Sequence, residues 1–312
     1  MVDQRRDSGS GLQGGGALQT AEAAGEEYGN VKGRTQREII WRRFKRHRLA
    51  LVGGAILILL YIAALVTPWV APYGYAQIDY SAFNEPPSLH HLMGTDELGR
   101  DELTRVMYGG RISLALGLAV GVFSTLIGAT VGIISGHYGK SVDVATMGFV
   151  DFMLTLPFLP LLLVSGKIFQ FTPVTIIAAL VLLLWPRMAR LVRGQVLAVR
   201  EQDYVQAARA IGVSNVKIML RHILPNVVSV LVVEATLIVA LAILVESVIS
   251  YLGLGIQPPT PSWGNLLQDA RTTMTEQWWL AMFPGLMIVV TALCVNFLGD
   301  GLRDALDPKA VE

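Results

Sequence analysis

The sequence is short of charge. Asp, Glu, Lys and Arg make up 16% of its 312 residues, against about 25% in soluble globular domains. The deficit is concentrated in long uncharged segments, which points to an integral membrane protein rather than a soluble one with an oily core. Cysteine is nearly absent: Cys294 stands alone, which excludes an internal disulfide and a cysteine-based zinc site. Its apolar surroundings suit a small buried side chain. The net charge of +1 gives no reason to expect a nucleic-acid partner.

Catalytic patterns are missing as well. A phosphate loop needs glycine, four residues, then Gly-Lys-Ser/Thr. "IISGHYGKS" ends correctly but has Ile134 where the first glycine belongs, and no strand is expected before it. There is no His-Glu-x-x-His, no Gly-x-Ser-x-Gly and no Cys/His cluster. His90 and His91 are adjacent, and neighbouring side chains rarely ligate one metal together. No enzyme activity, metal or cofactor is therefore expected in this chain. An intramembrane enzyme is disfavoured because no nucleophile–base or metal constellation can be assembled.

What is present is a series of apolar stretches. A helix needs about 20 apolar residues to cross the hydrocarbon. Six spans are expected, at 50–71, 112–136, 141–166, 171–190, 226–250 and 278–299. The fourth is the shortest in apolar residues and is extended by continuing as helix towards Arg193. Small residues in 112–136 suit close helix packing. Pro157 and Pro160 interrupt the third span, and each removes a backbone donor. Residues 1–36, rich in Gly, Ala, Ser and Glu, read as a disordered tail, with no apolar core after Arg5 and Arg6 to make a signal peptide. Residues 37–49 form a basic segment beside the membrane, either a simple charge anchor or an amphipathic helix on anionic head groups.

Lys and Arg set the orientation. Ten precede the first span, Lys140 follows the second, seven fall in 187–225 and two follow the sixth; the other face holds only three in 72–111, Lys167 and Arg271. Both termini, including the end segment 301–312, are therefore expected in the cytoplasm, with 72–111 outside. Trp69, Tyr73, Trp278 and Trp279 then sit at the outer interface.

The inner loop 201–225 is unusually well punctuated. "EQDYVQAARAIG" places Tyr204, Ala207, Ala208 and Ile211 on one helical face, and Gly212 is placed to end that helix in a left-handed cap. "VSNVKIMLRHILP" restarts with Ser214 as a cap and an apolar face of Val216, Met219, Leu220 and Ile223; Pro225 closes it. Spacing alone leaves open whether this helix packs on its own bundle or on a partner.

Charges within spans are costly. Asp151, Glu234 and Glu246 either face a pathway or bond to neighbouring helices. Asp143 lies near enough to the inner surface to be solvated. In "GLGIQPPTPSWGN", Gln257, Pro258 and Pro259 stiffen an outer loop, and Trp263 is either an anchor for an outside partner or packed on its own loop.

"QAARAIG…HILP" resembles the cytoplasmic coupling loop of ABC importer permeases, with Ala207, Ala208, Gly212, Leu224 and Pro225 in register. Gln206 stands where that pattern has Glu, and His222 where it has Ile. "GTDELGRDELTRVMYGGRISLALG", "VDFMLTLPFLPLLL" and "VESVISYLGLGIQPPTPSWGNLL" are similar to the C-type subunit of the dipeptide/oligopeptide permease family, and the resemblance extends over about residues 37–308. It implies an all-α type I importer permease whose core spans 112–300. It implies a binding-protein-dependent importer of di- or oligopeptides in a bacterial inner membrane. The implied partners are a homologous permease, two cytoplasmic ATPases that hold ATP and Mg, and an extracytoplasmic binding protein that meets the 257–263 loop. The coupling contacts fall on Asp203, Tyr204, Gln206, Ala207, Ala208, Arg209, Gly212 and Pro225. Relatives that carry nickel complexes or glutathione are not separated from peptide carriers by these motifs. The spans alone leave an ATP-independent channel or secondary carrier possible.

Overall fold

The computed structural model describes residues 36–306. Most of the expected tail and the last six residues lie outside that range. The described residues are helical, with eleven α-helices and two short helical turns. Helix α1 is Gln36–Arg46 and α2 is Arg48–Val70; α3 is Glu102–Tyr138, α4 Lys140–Thr155, α5 Phe158–Phe169 and α6 Pro173–Arg200. Loop 201–225 contains α7, Asp203–Ala210, and α8, Asn215–Ile218; then follow α9, Leu224–Tyr251, α10, Trp263–Asp269, and α11, Trp278–Leu306.

Five helical segments are long and apolar enough to cross a membrane; α4 and α5, bent by 76° at their junction, make a sixth if they count as one span. The irregular span is the third, where Pro157 and Pro160 stand, and α6 continues past Arg193 unbroken for 28 residues. The cause of the break is local. Pro157 lies at the N-cap of α5 in extended conformation, and the residue before a proline is pushed out of the α region; Leu156 is extended.

Helix α3 is the centre of the bundle, and its largest interface is with α6. Glycines make that approach possible. A Cβ on Gly128 would lie 2.6 Å from the Met188 Cβ, and one on Gly132 would lie 2.6 Å from the Ala189 carbonyl oxygen. Further along, Gly117 would meet Ile243 at 2.6 Å, so the same helix uses a second glycine pair, Gly117 and Gly121, to seat α9. Between lipid-facing helices van der Waals packing replaces the hydrophobic drive, which makes such close backbone contact the main source of cohesion. Leu116, Val120, Ile133, Leu180, Met188, Val192, Val227 and Ile238 fill the core between them. Cys294 is buried, as its apolar surroundings suggested; it packs with Leu57, Ala240 and Val295.

Loops 71–101 and 252–277 meet at the end of the bundle away from loop 201–225. Asp96 accepts from Arg105 Nη1 at 2.6 Å and Arg100 Nε at 2.7 Å, and Arg105 Nη2 reaches Asp269 at 2.9 Å. His91 Nδ1 lies 2.9 Å from Asp101 Oδ1, while Asp101 Oδ2 caps α3 through the Thr104 amide at 2.8 Å. Ser81 donates its hydroxyl and its amide to Asp79, which holds that carboxyl below its ordinary range. His91 thus acts as a loop clasp.

Candidate functional site: the ordered loop 201–225 and the charges above it

Helix α7 ends as its sequence dictates. Gly212 has φ +79°. The Val213 amide bonds to the Ala208 carbonyl at 3.1 Å and the Gly212 amide to the Arg209 carbonyl at 3.1 Å, the paired closing bonds of a Schellman cap. Gln206 Nε2 donates to the Arg200 carbonyl at 3.1 Å, tying α7 back to the end of α6. Its amide makes a bond to a carbonyl that a carboxylate in its place could not donate.

The return into α9 is a π-helical turn, Met219–Ile223. Pro225 explains it. Proline has no N–H for the Arg221 carbonyl, and its ring crowds that carbonyl. The chain widens, and the Leu224 amide bonds to Met219 five residues back. Ser214 sits at the N-cap of α8 with extended backbone but makes no side-chain cap bond.

The buried face differs from the one expected. Val205 and Ala208 point into the protein's own core together with Ile218 and Ile223. Tyr204, Ile211, Val216 and Leu220 are exposed at 44%, 80%, 58% and 59%, and Ala207, Asp203, Gln206, Arg209, Gly212 and Pro225 are exposed beside them. The apolar residues of the loop therefore divide between two surfaces. On α7 it is Val205, one residue from Tyr204, that takes the inward position. Ala208 alone of the proposed coupling residues is buried within this chain.

Two polar ties reach α3 here, one from α8 in the loop and one from Arg200 at the end of α6. His137 Nε2 lies 3.1 Å from Asn215 Oδ1, and Arg200 Nη1 donates to the Gly136 carbonyl at 2.8 Å. The loop is thus tied directly to α3 through Asn215 and to the end of α6 through Gln206. Sequence reasoning overlooked His137, Asn215 and Arg200, since their pairing is long-range.

The carboxylates within the spans are partnered. Asp143 accepts from Arg193 Nε at 3.0 Å and Nη2 at 2.6 Å. Asp151 pairs with Arg190, both side chains more than half exposed. Glu234 accepts from Arg187 Nε at 2.9 Å and borders a pocket of about 350 Å³ with Gln195, Ser229 and Arg303. Arg187, Arg190 and Arg193 recur every third residue along α6, and this spacing, visible in "RMARLVRG", was the missed signal. The row fans across the helix surface, so it reaches α9 through Glu234 and α4 through Asp151 and Asp143.

Glu246 corrects the expectation of a pathway carboxylate. It is fully buried and accepts from Ser250 Oγ at 2.7 Å and Ser262 Oγ at 2.9 Å, with Ser113 Oγ at 3.5 Å. It joins α3, α9 and the 252–262 loop, and faces no open space. Trp263 is likewise an internal anchor, not a docking one. It is 2% exposed, its Nε1 donates to the Val106 carbonyl at 3.0 Å, and its ring lies against Gly109 and Gly110. Gln257, Pro258 and Pro259 remain exposed.

The family described as the binding-protein-dependent transport system inner membrane component matches residues 128–312, and the N-terminal TM domain of oligopeptide transport permease C matches residues 35–87. The dipeptide transport system permease protein DppC of Bacillus subtilis is 40% identical over 270 residues, 86% of this chain and 84% of the relative. The oligopeptide transport system permease protein OppC of Mycobacterium tuberculosis is 41% identical over 281 residues, 88% of this chain and 96% of the relative.

Proposed function

Because the chain belongs to the family of binding-protein-dependent transport inner membrane components, we propose that it forms half of a di- or oligopeptide pathway opened by ATPases bound to loop 201–225. The chain is the multi-pass membrane permease subunit of an ABC peptide importer and is not itself a catalyst. Two cytoplasmic ATPase subunits, which bind ATP and Mg, supply the energy. A homologous permease completes the pathway, and an extracytoplasmic binding protein delivers peptide to the far side, where Gln257, Pro258 and Pro259 are exposed. The excess of Lys and Arg on the loop side supports a cytoplasmic position for both termini and loop 201–225.

The observation that carries this reading is the divided surface of the loop. Val205, Ala208, Ile218 and Ile223 fix it to the bundle, while Tyr204, Ile211, Val216 and Leu220 stay uncovered. A rigid helix with one face anchored and an apolar face free transmits a rigid-body shift that a floppy loop would absorb. Asp151 and Glu234, on paired arginines, are the carboxylates left to border the pathway; Glu246 is not.

The test is a reconstituted complex of both permeases and both ATPases in vesicles. Loaded binding protein is expected to stimulate ATP hydrolysis and to drive peptide uptake. The chain alone, under an ion gradient, is expected to move none. Peptide flux through vesicles holding only this chain would refute the reading in favour of a self-contained carrier.

A further inference from the structure

Six of the described arginines, Arg100, Arg105, Arg187, Arg190, Arg193 and Arg200, each lie within ion-pair distance of a carboxylate. Arg111 has no such partner among the described residues. It is exposed, and it immediately precedes the uncharged run 112–136. An exposed guanidinium at the outer end of a span, with no counter-charge in this chain, is free to take an acidic group.

Its surroundings are built. The guanidinium lies over the Tyr108 ring, 5.8 Å from the centroid, and Tyr108 is held by Tyr75 at 5.1 Å between centroids. A cation on an aromatic face keeps its N–H edges free for a planar acceptor. Tyr75, Tyr108, Arg111, Ile112, Thr260 and Pro261 together line a pocket of about 340 Å³. The wall opposite the arginine is pinned. Asn265 Nδ2 donates to the Thr260 carbonyl at 2.8 Å, and the Trp263 amide donates to Ser113 Oγ at 3.2 Å. Two of the pocket's walls, α3 and the 252–262 loop, are therefore already locked together by Trp263 and Glu246.

We propose that Arg111 binds the terminal carboxylate of the peptide as it enters the pathway, with Tyr75, Ile112 and Pro261 against its last residue. This rests on the peptide-import reading and adds a subsite to it. The chemistry fits a carrier of varied cargo. A C-terminal carboxylate is shared by every linear peptide, whatever its side chains. Arginine recognises it with a two-pronged contact that a single ammonium does not reproduce.

The test uses the complete complex with its binding protein, in vesicles, with one tripeptide offered as the free acid and as the C-terminal amide. The binding protein's affinity for each is measured separately, so that uptake is compared at equal occupancy. Wild type is expected to import the acid better than the amide. Arg111→Gln is expected to lower acid uptake by about tenfold, the weight of one charge-assisted contact, to the level of the amide. It should leave amide uptake and basal ATP hydrolysis unchanged. Arg111→Lys is expected to restore part of the preference. Equal loss for acid and amide would make Arg111 a structural residue and overturn the proposal, as would no loss for either. An effect that follows the phosphatidylglycerol content of the vesicles would assign the site to lipid phosphate and also overturn it. If wild type imports neither tripeptide, the peptide-import reading fails and this subsite fails with it; failure of the subsite alone leaves wild-type uptake intact.

Discussion

Gly212 offers the cleanest perturbation of the loop, because its effect is confined to the backbone. Its φ is +79°, and a Cβ added there would meet no atom within 4 Å. Replacement therefore introduces no clash within the chain. It tests only whether the left-handed cap is needed. Asn tolerates that conformation and should be close to neutral. Ala should cost about 1–2 kcal/mol, the left-handed penalty for an ordinary residue. Pro cannot adopt a positive φ, and it also removes the amide that bonds to the Arg209 carbonyl. That lost bond adds about 0.5–1.5 kcal/mol, for a total of roughly 1.5–3.5 kcal/mol. At 1.4 kcal/mol per tenfold change, the population of the capped loop falls by on the order of a hundredfold for Pro and about tenfold for Ala. α7 is only eight residues long, too short to hold without its cap and its packing. The assay is the number of ATP molecules hydrolysed per peptide imported by the reconstituted complex. The ratio is expected to rise in the order Asn, Ala, Pro, while the amount of membrane-inserted permease stays constant. A Gly212→Pro complex with wild-type stoichiometry would refute the view that loop stiffness transmits the stroke.

Ala207 and Ala208 are neighbours with opposite expectations. Ala207→Trp projects from the exposed side of α7 and should abolish co-purification of the ATPases while the permease remains folded. Ala208→Trp forces a large ring into the protein's own core beside Val205, where overpacking costs about 1–3 kcal/mol or more, so it should lower the yield of folded permease; the reverse pattern would mean that α7 is docked the other way round. Trp263→Ala removes a fully buried indole and its bond to Val106, a loss of about 3–5 kcal/mol. It should lower the midpoint of thermal unfolding in detergent, and a variant of unchanged stability that loses only binding-protein affinity would restore Trp263 to the docking surface.

Much of this was legible in the sequence, and the reasons differ from one element to the next. Spans announce themselves by length and lack of charge, which is why 226–250 and 278–299 fall within one or two residues of the starts of α9 and α11. Gly212 was legible because a left-handed cap has few alternatives to glycine. Prolines 157 and 160 signalled an irregular third span, but the size of the bend depends on which neighbours fill it. What stayed hidden was facing. Val205 and Tyr204 are both plausible inward residues of a short helix, and only tertiary packing separates them. The partners of Glu246 lie at Ser113, Ser250 and Ser262, distant in sequence and unmarked by any motif. A long-range hydrogen bond leaves no periodic trace.

The distribution of charge explains how such a chain can be both rigid and movable. On the far side, Asp96, Arg105 and Asp269 join two loops, and Glu246 with its serines joins α3, α9 and a third segment. Buried carboxylates there are enclosed, so breaking one exposes an unpaired group in a low-dielectric setting. Towards loop 201–225 the pattern reverses. Arg190 and Asp151 are both more than half exposed, as is Arg187 opposite Glu234. Exposed ion pairs contribute little, about 0–1 kcal/mol each, and exchange partners at small cost. A permease that must open first on one side and then on the other needs this asymmetry. The sealed network ties the far ends of α3 and α9 together, while of the arginine row only Arg187 and Arg190 are loose; Arg193 holds Asp143 of α4 through two bonds, both side chains mostly buried. Motion should therefore concentrate at the Pro157 break and the π turn, the two places where the backbone ladder is already interrupted.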